Sequence, residues 1–353
     1  MGSHDKPGAA ALCGLMLIAA LLPAGGLAAD APTFSESEVR AILAHGPWPV
    51  PTRADPANRV SGRREAVEFG ERLFFDGRMS AGGRFSCGSC HVPERNWTDN
   101  RTRGAALAEV DRNVPTLMNV RLGRAFGWDG AADSLAAQSL RPILDARELG
   151  ASPRHVAALV RGDDQLACRY RKAFGAPPSR DDDQAVFDDV GRALAAFQET
   201  FETPPTPFDQ FRDALARGER ITPLIYSEAA QRGAKIFVGK GTCSSCHSGP
   251  NFSDGGLHDN GFSAYAAPGR ADPGKEGKFK VPTLRHLFLT APYGHHGEVA
   301  TLADAVRHYA ERGSKEIAPL GLTAAEQTDL VVFLESLSTF SNPWRPDELN
   351  LCR

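Results

Sequence analysis

Beyond residue 29 the chain has no apolar run approaching the ~20 residues that a membrane-spanning helix needs. Charge of neither sign dominates: without Lys6 and Asp5, residues 30–353 carry 39 Lys+Arg against 42 Asp+Glu, a formal −3. That balance gives no reason to expect a nucleic-acid or anionic-membrane partner. Strand signal is slight and low-complexity tracts are missing, although 25 prolines and 35 glycines imply many turns between helices. Histidine, too, is missing from the whole stretch between Val92 and Arg154.

The first 29 residues read as an address. Ala9 to Leu22 is apolar, Lys6 lies upstream, and the small residues Gly25, Gly26, Ala28 and Ala29 suit cleavage before Asp30. A signal peptide at 1–29 and a periplasmic mature protein with no transmembrane segment are expected; a retained membrane anchor is the competing reading. Cys13 sits too early in the apolar run for lipid attachment. The remaining 324 residues are enough for two ordinary domains.

Four of the seven cysteines form two identical patterns, Cys87-Gly88-Ser89-Cys90-His91 and Cys243-Ser244-Ser245-Cys246-His247. This spacing attaches c-type haem: two thiols add to the vinyl groups of one porphyrin, and the adjacent histidine ligates the iron. A zinc site would need four ligands around one metal, and a thioredoxin-like pair has no use for the histidine. Two covalent haems are therefore expected, bound by Cys87, Cys90 and His91 and by Cys243, Cys246 and His247. Cys168 and Cys352 are left either to pair as a disulfide or to stay as buried thiols.

The chain is also a diverged duplication. Glu68 to Phe74 resembles Arg232 to Phe237, both with apolar residues three to four apart. Val114-Pro115-Thr116-Leu117 matches Val281-Pro282-Thr283-Leu284 at an offset of 167, which also pairs Phe126-Gly127 with Tyr293-Gly294 and Ser134-Leu135-Ala136 with Thr301-Leu302-Ala303. Each half ends in an apolar helix, Val186 to Phe201 and Ala324 to Phe340, the latter with a capping box from Thr323 and Glu326. The expected fold is all-α: two cytochrome c-like domains related by internal duplication, 30–215 and 216–353, each with one covalent haem.

The two halves differ at informative places. Leu302, Ala305, Val306 and Tyr309 share one helix face behind the Thr301 cap. The offset sets Tyr309 opposite Pro142: a phenolate oxygen can coordinate iron, and proline has nothing to offer. Haem 2 is thus expected to be ligated by His247 and Tyr309, and haem 1 to be open. Trp128, opposite His295, could carry electrons or holes between haems; packing is the competing role for both aromatics. Glu148 could move a proton on bound peroxide, or could simply be a helix-surface carboxylate.

These residues resemble the bacterial di-haem cytochrome c peroxidases and their relative MauG. The resemblance rests on Leu73-Phe74-Phe75-Asp76, Arg112-Asn113, Trp128-Asp129-Gly130, Ala137-Gln138, Pro142 to Glu148, Leu289 to Tyr293 and Ala305 to Tyr309. It implies Trp128 as the inter-haem bridge, Glu148 as distal acid–base with Gln138 beside it, and one calcium ion held by Asn113 and backbone oxygens of Thr290 and Pro292. At position 309 the peroxidase branch is expected to carry methionine and the MauG-like branch tyrosine. The peroxidase branch also caps haem 1 with a histidine upstream of Arg112-Asn113, a region that has none here. His296, where aspartate is expected, departs from the pattern. Phe126 to Gln138 looks most like MbnH, a MauG-like subgroup associated with methanobactin operons and small periplasmic copper-binding proteins.

The resemblance implies an enzyme that uses hydrogen peroxide to reach a two-electron oxidised state of the bis-ferryl type. That state would oxidise a residue, tryptophan by the MbnH likeness, on a partner protein by long-range electron transfer. Trp97 and Trp344 are candidate surface relays, with packing as the competing role. The alternatives are a peroxidase fed by a small redox protein and a di-haem electron carrier without chemistry of its own.

Overall fold

Capping side chains and apolar spacing account for the helices. The computed structural model describes residues 32–51, 53–265, 277–339 and Cys352; the expected signal peptide and Trp344 lie outside the described residues. Within them the helices are α1 (Glu36–Leu43), α2 (Arg64–Phe74), α3 (Cys87–Cys90), α4 (Leu135–Leu144), α5 (Pro153–Gly162), α6 (Asp164–Phe174), α7 (Asp183–Gln198), α8 (Pro207–Ala216), α9 (Glu228–Val238), α10 (Leu302–Glu311) and α11 (Ala324–Glu335). Ser134, Ser227 and Thr301 accept a backbone N–H at the starts of α4, α9 and α10, and Thr323 forms its capping box with Glu326 on α11. Both terminal helices of the halves stop a few residues before the ends expected from apolar content. Among the described residues an antiparallel ladder, β1 (Leu257–His258) with β2 (Phe279–Lys280), makes the structure mostly rather than wholly helical. No helix among the described residues is long and apolar enough to cross a membrane.

The duplication is visible in how helices cross. α2 packs on α7, and a Cβ built on Gly70 would lie 2.0 Å from the Ala193 carbonyl oxygen. α9 packs on α11 in the same way, with a Cβ on Gly233 only 2.1 Å from the Asp329 carbonyl oxygen. Glycine at both places lets one backbone approach another, and around each crossing a hydrophobic core forms. The first core gathers Phe69, Phe74, Phe187 and Phe197, with Trp97 stacked on Phe201 at 3.8 Å between ring centroids. Trp97 is therefore packed inside this core and is no surface relay.

The second core gathers Phe208, Phe211, Phe237, Phe252 and Phe333, together with Ile42 from α1. The segment from Pro32 to Trp48 thus precedes the first core in sequence but packs on the second. His45 stacks on Phe252 at 4.5 Å and meets the Gly249 carbonyl at 3.0 Å. Trp48 lies 3.7 Å beneath the Arg285 guanidinium, which donates two 2.9 Å bonds to Asp209. Both ends of that ion pair are buried, so removing one would strand the other charge.

Two backbone bonds join the halves reciprocally. Asn113 N–H donates to the His295 carbonyl at 3.0 Å, and Lys280 N–H donates to the Trp128 carbonyl at 2.8 Å. The offset of 167 converts each bond into the other, so the halves meet about a local two-fold relation like that of an isologous dimer. The same offset relates the isolated bridges Phe126–Ala132 and Tyr293–Val299. Cys168 on α6 is disulfide-bonded to Cys352, so the pair left open by the sequence is closed. Pro32–Arg353 form one compact unit.

Candidate functional site

The two attachment motifs are built alike. Cys87 and Cys90 lie on the single turn of α3, and Cys243 opens a 3-10 turn ahead of Cys246. His91 Nδ1 is 2.9 Å from the Trp97 carbonyl oxygen, and His247 Nδ1 is 3.0 Å from that of Phe252. Trp97 and Phe252 both sit in the left-handed region, at φ 60° and φ 51°, a conformation that bulky residues seldom adopt. Both reversals thus occur at the residue whose carbonyl meets the imidazole. Burial holds both imidazoles below the ordinary histidine pKa, against the opposing pull of these carbonyls. A neutral ring with Nδ1–H donated to a carbonyl leaves Nε2 as the coordinating nitrogen.

Both motifs open on one cavity of about 650 Å³. All four motif cysteines lie at its wall, and burial pushes the Cys87 and Cys243 thiols up to about 12. Paired thiols, an oriented neutral imidazole and a largely apolar wall fit a covalently attached haem at each motif.

Across the cavity the halves differ. On the first side, α4 brings Gln138 and Pro142 to the wall, and Glu148 follows in the next turn. Pro142 has no N–H for the carbonyl of Gln138, and its ring offers no ligand. Glu148 is near enough for its charge to act on Cys87 and Cys90. Burial, with Asp145 adding to it, raises the Glu148 pKa above the ordinary glutamate range. Glu148 is therefore a cavity-facing carboxyl rather than a solvated helix-surface one. On the second side, α10 turns Leu302, Ala305, Val306 and Tyr309 to the wall together. Burial raises the Tyr309 hydroxyl pKa, and Cys243 and Cys246 act on it in the same direction. Between the sides stands Trp128, whose Nε1–H donates to the Asn113 carbonyl at 2.8 Å.

This arrangement has relatives. The family model for di-haem cytochrome c peroxidase matches residues 64–217. The chain is 34% identical over 332 residues to the methylamine utilization protein MauG of Methylorubrum extorquens, spanning 90% of each. It is also 34% identical over 253 residues to the cytochrome c551 peroxidase of Nitrosomonas europaea, spanning 69% of this chain and 72% of that one. The chain belongs to the di-haem cytochrome c peroxidase/MauG family. A solved structure described as a MauG-like protein associated with microbial copper homeostasis shares 30% identity and a TM-score of 0.69, covering 85% of this chain and 100% of its own. As a member of this family the protein is a peroxide-dependent oxidoreductase carrying two haems c.

Other polar groups surround the junction of the halves. Asn113, Thr290 and Pro292 all border the cavity, while Asn100 Nδ2 donates to the neighbouring carbonyls of Leu289 at 3.2 Å and Ala291 at 3.0 Å. His295, His296 and Glu298 bring ligand-type atoms within 4.8 Å of one another. His296 Nδ1 is 2.6 Å from the Asp111 carbonyl oxygen, and Arg112 Nη1 is 3.2 Å from its ring nitrogens. A guanidinium at that distance disfavours a second cation, and His296 links the two halves through Asp111 and Arg112. Sequence reading passed over the reversed carbonyls of Trp97 and Phe252, which leave no local sign, and Lys280. The offset itself could have drawn attention to Lys280, since it stands opposite Asn113.

Proposed function

We propose that the protein is an exported di-haem enzyme that takes two oxidising equivalents from hydrogen peroxide and delivers them to a residue of a partner protein. The observation that carries this reading is the pairing of Tyr309 with Pro142 at equivalent positions of α10 and α4, both on the wall of one cavity. Two haems in identical surroundings would do the same thing; here one side gains a ligand-type oxygen and the other loses it.

Bound at the motifs, the haems supply reversible storage of oxidising equivalents. His91 and His247, each oriented by a carbonyl, would hold the two irons through Nε2. Pro142 would offer the first haem no ligand. Glu148, its pKa raised by burial, would take the proton from one peroxide oxygen and return it to the other, with Gln138 holding the peroxide beside it. Tyr309 would supply a phenolate oxygen to the second iron, a ligand that suits higher oxidation states. Trp128, fixed by its bond to the Asn113 carbonyl, is the bridge. Asn113 Oδ1 with the Thr290 and Pro292 carbonyls offers oxygen-only ligands for one calcium ion at the junction.

Each half serves one haem, the first built on residues 60–201 and the second on the later chain, which α8 and the arm from Pro32 to Trp48 join. The partner is a small periplasmic copper-binding protein and the modified residue a tryptophan, as the resemblance of Phe126 to Gln138 implies; the likeness to a MauG-like protein associated with microbial copper homeostasis supports the link to copper alone. Periplasmic export is supported by the Cys168–Cys352 disulfide, a bond suited to an oxidising compartment.

Low-temperature EPR and absorption spectra of the ferric holoprotein, before and after one equivalent of hydrogen peroxide, test this. One high-spin and one low-spin haem, converting directly to a two-electron oxidised state, is the expected result. Two low-spin haems that ignore peroxide until half-reduced would assign the protein to the peroxidase branch, and inertness even then would leave an electron carrier. Mass spectrometry of candidate partners after turnover then identifies the modified residue.

A further inference from the structure

Lys280 has no role in the mechanism above, yet it stands at the junction of the halves. It lies on β2, borders the same cavity as Trp128 and Asn113, and its N–H is bonded to the Trp128 carbonyl at 2.8 Å. The local two-fold relation maps it onto Asn113. One half therefore presents a neutral amide at this position and the other an ammonium.

The other cations on the cavity wall are engaged. Arg147 pairs with Asp111 at 2.6 Å and Asp145 at 3.2 Å, Arg141 lies 3.6 Å from Asp129, and Arg112 rests against His296. Lys278, two residues earlier, pairs with Glu316 at 2.8 Å. Among the described residues no carboxylate pairs with Lys280. Burial alone acts on its ammonium, lowering its pKa, with no protein charge opposing. A half-buried cation on a cavity wall without a counter-ion is costly, and that cost falls if an anion arrives with whatever fills the cavity.

A haem brings such anions, because its two propionates are carboxylates while the rest of the ring suits an apolar wall. The geometry points to Lys280 as the counter-cation of a haem propionate at the Trp128 junction, a positioning residue that fixes that edge of the porphyrin and raises the potential of its iron. An ammonium near the iron disfavours added positive charge on it. Asn113 cannot do this for the other half, so Lys280 would contribute to the difference between the two haems alongside Tyr309 and Pro142.

The inference rests on the two-haem reading, and the two fail separately: a holoprotein without two c-type haem spectra would sink that reading, whereas this one is decided in variants that retain both. Lys280→Met and Lys280→Arg holoproteins are compared with the parent by resonance Raman spectroscopy in the propionate-bending region and by spectroelectrochemical titration. In Lys280→Met one haem's propionate mode should move to lower frequency and one midpoint potential should fall, while Lys280→Arg retains both parental values. Unmoved modes and potentials in Lys280→Met overturn the proposal, as does an equal change in Lys280→Arg. Should Lys280→Met fail to load haem, Lys280→Gln, neutral but polar, is read by the same two measurements with the same expected shifts.

Discussion

In the proposed mechanism, Glu148 and Tyr309 are the side chains on which the chemistry turns. Replacing Glu148 by Gln keeps the shape and removes the titrating oxygen, so peroxide consumption by the ferric protein should slow by about 10²–10⁴-fold. The sign of its pH dependence follows from its environment. Burial favours the protonated carboxyl, so the active, deprotonated base is lost as pH falls through a pKa above the ordinary glutamate range. Stopped-flow rates should therefore show an acidic limb at higher pH than a solvated glutamate would give, and Glu148→Gln should abolish that limb. Tyr309→Phe should leave the first haem's EPR signal in place and shorten the life of the two-electron oxidised state by at least about tenfold, ~1.4 kcal/mol on its decay barrier. An unchanged lifetime would remove Tyr309 from its assigned role. At this scale the sequence was readable wherever the duplication offered a comparison: Tyr309 was found against Pro142, and Trp128 against His295. It was silent on Trp97 and Phe252, because a left-handed backbone at a large aromatic residue has no composition cue, and on which nearby oxygens the histidines would meet.

The helices were legible because their caps and apolar spacing are local. Thr323 with Glu326, and the face from Leu302 to Tyr309, came through as expected. The β1–β2 ladder did not, since two residues per strand leave no alternation to detect. The helix crossings give the sharpest prediction for an element. Gly70→Ala and Gly233→Ala each push a methyl into a carbonyl oxygen, so each should destabilise the protein by about 1–3 kcal/mol, as overpacked cores do. Denaturant midpoints measure this. Because the two crossings are far apart in sequence and belong to separate cores, the double variant should lose close to the sum.

For the molecule as a whole, the disulfide is the covalent tie. It joins α6 of the first core to the C-terminal Cys352 across 184 residues of chain. Cys352→Ser, or gentle reduction, should lower the unfolding free energy by about 2–4 kcal/mol, readable as a lower denaturant midpoint. No change would mean that the tail is held without it. Nothing in the residue pattern chooses between this bond and two free thiols, since pairing depends on where α6 and Cys352 end up in space.

The order in which these parts can be completed is written into the arm at Pro32 to Trp48. The first core draws on residues 60–201 and can close as soon as that length of chain exists. The second needs Ile42 from the arm and apolar residues as late as Leu337. Because α1 packs against α8 and α9, the earliest described segment must wait during synthesis with its apolar face uncovered until the chain has reached Val238. The part of the described chain that is born first finds its place only after all of the first core has been made.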